Sequence, residues 1–349
     1  MTREELLRLL EDTDVVTRAS LAGVDLEGID LAGATFEGTS FMRSNLAGAR
    51  LNEATFVECD FTEARLDRAN LRHVLLYRCP AAGATFPGAN LGVGRLVECD
   101  LRQARFGEAT MPSLSFVDSN LEGAQFAGCS IDRMNFVNTS LAQASFRQAR
   151  FARSNLVQVD LRATDLEEVV WDRVVLHKAT LSGKSLAGLD LRMTQLMDAQ
   201  LEGCDFSHAK LDQSNFKGSN LAGARFDGAS ARNVLFVEAK LRGASFRGTD
   251  LYQCIFVDAE AISADFADAT LYQTVWHRAN CTGAKFGDSD LSYADFSWAD
   301  LSATDFLGAK LFRARFHRTT EDGAVFPSRS TALGDDKELA AAEKFESRH

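Results

Sequence analysis

Seven cysteines and six histidines could bind a metal, form disulfides or act as nucleophiles, and their spacing speaks against all three. Cys59, Cys79, Cys99, Cys129, Cys204 and Cys254 recur at multiples of five residues, with no close pair of the kind a zinc site uses. His177, His277 and His317 share one column, but at strand spacing they lie ~24 Å and ~10 Å apart, too far for common ligation. His73 and His208 are isolated. Gly183-Lys184-Ser185 echoes the end of a phosphate-binding loop, yet Lys178 stands where that motif needs glycine and no helical pattern follows. Asp290, Asp295, Asp300 and Asp305 read as turn residues whose carboxylates bond nearby backbone. No Ser/His/Asp set or carboxylate pair can be placed, so the expectation is a chain without catalysis, metal or cofactor.

What must position these residues is a register of five. Of the 62 positions 21, 26, 31 and onward to 326, 30 are Leu and 23 are Phe. Two residues before each lies a second restricted site, where 56 of the 62 residues are Ala, Cys, Ser, Thr or Val. Each unit of five therefore points one large and one small side chain inward. A period of five fits neither a helix nor a strand, and sustained over most of a chain it signals a solenoid. Six cysteines occupy the small site and Cys281 the large one, so they read as core filler. Lys184 also occupies the small site, where a charge is costly, and the expectation there is a bulge that lets its ammonium reach water.

Segments such as Ala-Asn-Leu-Arg at 69–72, Ser-Asn-Leu-Ala-Gly at 44–48 and Ala-Asp-Phe-Ser at 294–297 resemble the pentapeptide-repeat family, A(D/N)LXX. The resemblance runs through residues 21–326. It implies an all-β solenoid, a right-handed four-sided parallel β-helix with about 15 coils. The residues themselves support four sides, because 20 of the 23 Phe of the series fall on two alternate sides, one through Phe86, Phe106 and Phe126, the other through Phe116, Phe136 and Phe236. Both ends need caps, since bare strand edges invite polymerisation. Thr2 with Glu5 predicts a capping box and a short helix over residues 2–11. Asp335, Asp336, Leu339, Ala340 to Ala342 and Phe345 predict a second helix after a loose link at 327–334. The expected organisation is 1–19 as N-terminal cap and lead-in, 20–326 as one β-helix and 327–349 as a helical tail. Ser185-Leu-Ala-Gly-Leu-Asp-Leu repeats the text at 20–26, but the Phe columns keep phase, so one continuous domain is preferred over two fused halves.

Glu4 and Glu5 near the start and the lack of a long apolar run predict no signal peptide and no membrane span. Unpaired buried thiols suit a reducing cytoplasm. The outward positions carry the functional signal. On the side from Phe36 to Phe316, Val57, Tyr77, Val97, Val117, Val137, Val157, Val237 and Val257 form an apolar stripe, edged by Glu58, Glu98, Asp118, Glu238 and Asp258. Leu75, Val175, Leu235, Ile255 and Val275 broaden it. β-branched residues also suit exposed strands, but the other sides carry no such row, and a contiguous apolar patch marks an interface with a partner or a second copy. On the next side Tyr252, Tyr272 and Phe312 share an outward row with Tyr293 beside them, a cluster whose ligand class the residues leave open.

The net charge of −11 bears on the family's best-known activity, mimicry of duplex DNA toward bacterial type II topoisomerases such as DNA gyrase. The sides through Leu26 and Leu21 are acidic, but the tyrosine side is net basic, with Arg150, Arg153, Arg173, Lys310 and Arg313. The inserted loop that many protective members carry is missing. Residues 2–7, Thr-Arg-Glu-Glu-Leu-Leu, with Ser20 to Leu26 resemble pentapeptide-repeat proteins associated with type VI secretion. The reading is a non-enzymatic scaffold or adaptor that binds protein, with an accessory role in a secretion system as one form and a DNA-mimic gyrase modulator as the alternative. It implies a protein partner, a possible homodimer, and no direct contact with nucleic acid, membrane or small-molecule substrate.

Overall fold

The computed structural model describes residues 1–343 and divides into two compact units, Met1–Thr180 and Leu181–His349, each built from the same parallel coil. Phe345 lies outside the described residues.

In the first unit, helix α1 (Arg3–Asp12) has the predicted capping box, with the Glu5 N–H donating to Thr2 Oγ1 and the Thr2 N–H to Glu5 Oε2. The helix sits over the first coil: Leu6 is fully buried, the Met1 ammonium donates to the Ser20 carbonyl at 3.1 Å, and Arg3 donates to the Glu27 carbonyl at 2.9 Å. Eight three-residue strands, from Val15–Thr17 to Asn155–Val157, then stack in one parallel sheet. Each strand pairs with the strand 20 residues on, as in Phe36↔Phe56 and Phe116↔Phe136. Ser130–Asp132, Arg150–Ala152 and Val170–Asp172 make a second, three-stranded sheet. The remaining sides are joined by single bridges in the same register, such as Asp25↔Asn45 and Asp30↔Arg50. A bridge at every fifth residue to a partner 20 residues on defines four sides per coil, as expected from the Phe columns.

The second unit contains no strand among its described residues. Single bridges alone link its coils, as in the series Ser185, Asp205, Arg225, Ser245, Asp265, Lys285, Asp305 and Val325. Strands proper mark eight coils in the first unit, and the bridged series from Ser185 to Val325 marks those of the second in the same 20-residue register.

The core of each unit is two facing Phe stacks. Along one column Phe106 and Phe126 lie 4.6 Å apart at 4°, and across the core Phe106 meets Phe116 edge to face at 5.8 Å and 78°. Phe226 repeats this, stacked on Phe246 at 4.5 Å and edge-on to Phe236 at 5.9 Å. Offset stacking along a column and T-shaped contacts across it are the two arrangements that ring quadrupoles favour, and one cross-section satisfies both.

What distinguishes strand from bridge is the turn. On most sides the N–H three residues after a central residue donates to that residue's carbonyl, as in Val24 to Leu21 at 3.1 Å and Ala259 to Phe256 at 3.1 Å. Beneath the strands this bond is opened. A side chain from the next coil enters the gap: Ser119 Oγ accepts from the Cys99 N–H at 3.1 Å and contacts the Leu96 carbonyl at 3.3 Å and the Val117 carbonyl at 2.9 Å. Ser154 does the same between the Met134 N–H, 3.1 Å, and the Ile131 carbonyl, 3.0 Å. Thr139 reaches the Phe116 carbonyl at 3.2 Å, and the Cys59, Cys79 and Cys99 thiols reach the carbonyls of Phe36, Phe56 and Leu76. Buried backbone groups need partners, and at these turns the hydroxyl or thiol meets the freed carbonyl, whereas Val159, Ala179 and Val174 stand at the same site above Phe136, Leu156 and Phe151. Cysteine there is more than filler.

Two local expectations are corrected. Residues 331–333 are not a loose link but close the last coil, with the Arg313 N–H on the Thr331 carbonyl and the Phe316 N–H on the Leu333 carbonyl, both 2.8 Å. Lys184 makes no bulge. Its N–H keeps the turn bond to the Leu181 carbonyl at 2.9 Å, its own carbonyl accepts from Asp205, and it is half-buried with the ladder intact. The second helix, α2 (Lys337–Glu343), is as predicted, with Asp336 accepting from the Glu338 and Leu339 N–H groups.

Candidate interaction surface

The residues that could do chemistry are spent on structure. All seven cysteines are free and buried. Burial pushes the Cys59, Cys129 and Cys204 thiols up to about 11, which leaves little thiolate near neutral pH. No group of His, Cys, Asp or Glu among the described residues could hold a metal ion. Asp290, Asp295, Asp300 and Asp305 each accept from the backbone N–H two residues on, at 2.9 to 3.0 Å. Gly183 to Ser185 is an ordinary turn followed by further turns, not by a helix. His317, placed in an outward row by the register, is fully buried beneath α2, with Nδ1 accepting from the Asp336 N–H at 3.2 Å and Nε2 3.3 Å from Glu343.

In the first unit the stripe stands on the eight-stranded sheet. Val57, Tyr77, Val97, Val117, Val137 and Val157 are in-register neighbours from strand to strand. Each is half-buried, so the surface offers a narrow seam of methyl groups and not fully exposed side chains. One edge is a polar ladder in which the Asn155 amide donates to Asn135 at 2.7 Å and Asn135 donates to Ser115 at 3.0 Å. The other edge is an ion-pair ladder: Arg78 Nε lies 2.7 Å from Glu98 with its guanidinium over the Tyr77 ring at 4.8 Å, and Asn138 donates to Asp118 at 2.6 Å.

In the second unit Val237 and Val257 lie beside the bridged row Leu235, Ile255 and Val275, and all five are half-buried. Their acidic edge is also paired, Glu238 with Lys217 at 3.3 Å and Asp258 with Arg278 at 2.7 Å. The aromatic cluster is one connected ladder. Ring centroids of Tyr252 and Tyr272 are 5.7 Å apart, Tyr272 and Tyr293 5.4 Å, and Tyr293 and Phe312 5.4 Å. Arg232, whose part the sequence reading missed, covers Tyr252 at 4.7 Å. Its outward position one coil before Tyr252 was the available signal.

No helix among the described residues is long and apolar enough to cross a membrane. No curated protein matches the chain. Among solved structures, HetL, a pentapeptide repeat protein involved in heterocyst differentiation regulation from the cyanobacterium Nostoc sp. strain PCC 7120, is 20% identical over 90% of this chain and 96% of its own, with a TM-score of 0.23. QnrB1, a plasmid-mediated fluoroquinolone resistance protein, is 16% identical over 61% of this chain and 93% of its own, with a TM-score of 0.34. A pentapeptide repeat protein from the Arabidopsis thaliana thylakoid lumen is 25% identical over 37% and 69%, with a TM-score of 0.22. These likenesses concern sequence repeats and coil, not partners. Residues 19–56, 39–76, 56–92, 199–236, 239–275 and 279–318 match the family described as pentapeptide repeats (8 copies), and residues 99–174 match the pentapeptide repeat region. With its repeats matched over more than half its length, the chain belongs to the pentapeptide-repeat family.

Proposed function

We propose that the chain is a non-catalytic scaffold that binds protein, with the valine stripe of the first unit as its principal partner surface. The observation that carries this reading is the continuous, in-register row of half-buried apolar side chains from Val57 to Val157, bordered by the Arg78–Glu98 ion pair at 2.7 Å. The buried free thiols suit a reducing compartment, so the reading includes a cytoplasmic site. Val117→Glu with Val137→Glu tests it, because two charges would be desolvated at the centre of any contact. Circular dichroism should be unchanged, while co-purification of the native partner, or the dimer mass in light scattering, should fall by about a hundredfold in affinity. Retention of both the mass and the full set of co-purifying proteins would overturn the site. An accessory role in a bacterial secretion system is one form of this scaffold, carried only by the text of residues 2–26.

A second reading, modulation of a type II topoisomerase by DNA mimicry, draws on the net charge of −11. Against it, acidic residues of the relevant row are paired: Glu167 with Arg147 at 2.8 Å, Glu168 with the Gln148 amide at 2.7 Å, and Asp268 with Arg247 at 3.1 Å. Purified gyrase in a supercoiling assay decides, and no effect at micromolar protein removes it.

A further inference from the structure

We propose that the aromatic ladder of the second unit, Tyr252, Tyr272, Tyr293 and Phe312, docks an acidic, apolar segment of a partner protein. The proposal rests on the scaffold reading but not on the valine stripe. Its first ground is which parts of the rings remain free. Tyr252 has Arg232 on one face and Tyr272, parallel within 4°, on the other. Tyr293 lies between Tyr272 and Phe312, with the Arg313 guanidinium 5.9 Å from its centroid. Sugars and nucleobases bind aromatic platforms through open ring faces, and here Tyr252 is covered by Arg232 and Tyr272, while Tyr293 is tilted against Tyr272 and Phe312. The stacked part of the ladder leaves ring edges, the positive part of the aromatic quadrupole, and phenol hydroxyls that can donate. No hydrogen bond engages those three hydroxyls among the described residues.

The second ground is charge. The carboxylates on this side are turned to the chain: Asp250 accepts from the Tyr252 N–H at 3.2 Å and lies 3.8 Å from Arg232, and Asp290 accepts from the Ser292 N–H at 3.0 Å. Lys310 and Arg313 have no carboxylate within ion-pair distance among the described residues. They flank the two most exposed rings, Tyr293 at 40% and Phe312 at 48%. Positive edges, donor hydroxyls and two unpaired cations all favour the same ligand chemistry, carboxylate acceptors on an extended segment with apolar side chains to cover Phe312.

The test is selection of random peptides displayed on phage against the full chain, followed by fluorescence polarisation of the enriched peptides and of an oligothymidylate. The expected result is enrichment of Asp- and Glu-containing sequences with apolar residues. Their affinity should fall by about tenfold or more for Lys310→Glu with Arg313→Glu, and for Tyr272→Ala, while Val117→Glu with Val137→Glu leaves it unchanged. The charge-reversal pair lies on the surface and keeps the test valid if Tyr272→Ala perturbs the fold. No enrichment, enrichment of basic or uncharged peptides, equal binding to the ladder variants, or tight oligothymidylate binding that the ladder variants lose would each overturn the proposal. Loss through the valine variant alone would uphold the scaffold and sink the ladder.

Discussion

The column through Phe116 in the first unit and the column through Phe236 in the second share one sequence register, yet the first is a continuous sheet and the second a set of single bridges. The small inward residue differs along the column. Above the open turns of the first unit it reads Thr39, Cys59, Cys79, Cys99, Ser119 and Thr139, all able to donate to a freed carbonyl. In the second unit the same column reads Ala199, Ser219, Ala239, Ala259, Ala279 and Ala299, of which Ser219 alone donates, and from Ala199 to Ala299 the backbone closes each turn itself at 2.9 to 3.3 Å. A side-chain donor accompanies most strands of this column but does not by itself decide them, since the turns at Phe136 and Leu156 are open beneath Val159 and Ala179. Valine is the commonest outward residue of these strands, although Val237 and Val257 hold the same position on single bridges and His277, Ser297 and His317 follow them.

The strongest way to break this comparison is through the part the two columns share. Phe116→Asp and Phe236→Asp each place an unpaired carboxylate among stacked rings and should cost several kcal/mol, about 3 or more, in either unit. Chemical denaturation reads it, and a marked inequality would mean that the two cores are not equivalent. Next comes the turn donor. Ser119→Ala strands the Cys99 N–H and the Leu96 carbonyl and should cost about 1 to 3 kcal/mol. Ser219→Ala should cost less, because the turn beneath it keeps the Ala199 N–H on the Leu196 carbonyl. Equal losses would remove the donor's part at the open turn.

A smaller contrast is expected at the outward position. Val117→Ala, on a strand, should lose up to about 1 kcal/mol in thermal melts, and Val237→Ala, on a single bridge, less than that. The smallest effect is electrostatic and should not distinguish the units. The hydrogen bond from Arg102 holds the Asp100 carboxyl below its usual range, and Arg162 and Arg192 do the same for Asp160 and Asp190. A depressed folded-state pKa gives stability that is present above the ordinary carboxylate value and lost as pH falls through the folded one. Arg102→Gln should therefore narrow the stability gap between pH 6 and pH 3 slightly, and leave it unchanged at pH 6 to 8.

Much of this was legible in the residues. The five-residue period, the alternation of large and small inward sites and the opposed Phe columns depend only on side-chain volume repeating along the chain, so the sequence by itself determined the four-sided coil. Thr2 and Glu5 announced α1 because a capping box is local. The positions of the stripe and ladder followed from the same register. What the tertiary structure decided depends on groups 20 or more residues apart that meet only when coils stack. Which hydroxyl or thiol meets a freed carbonyl rests on the next coil. How free the acidic borders are rests on arginines and amides one coil away, and whether His317 faces water rests on α2, which packs over it. The period names each neighbour in the stack but not the rotamer that reaches it, so ring faces, ion pairs and open turns appear only in three dimensions.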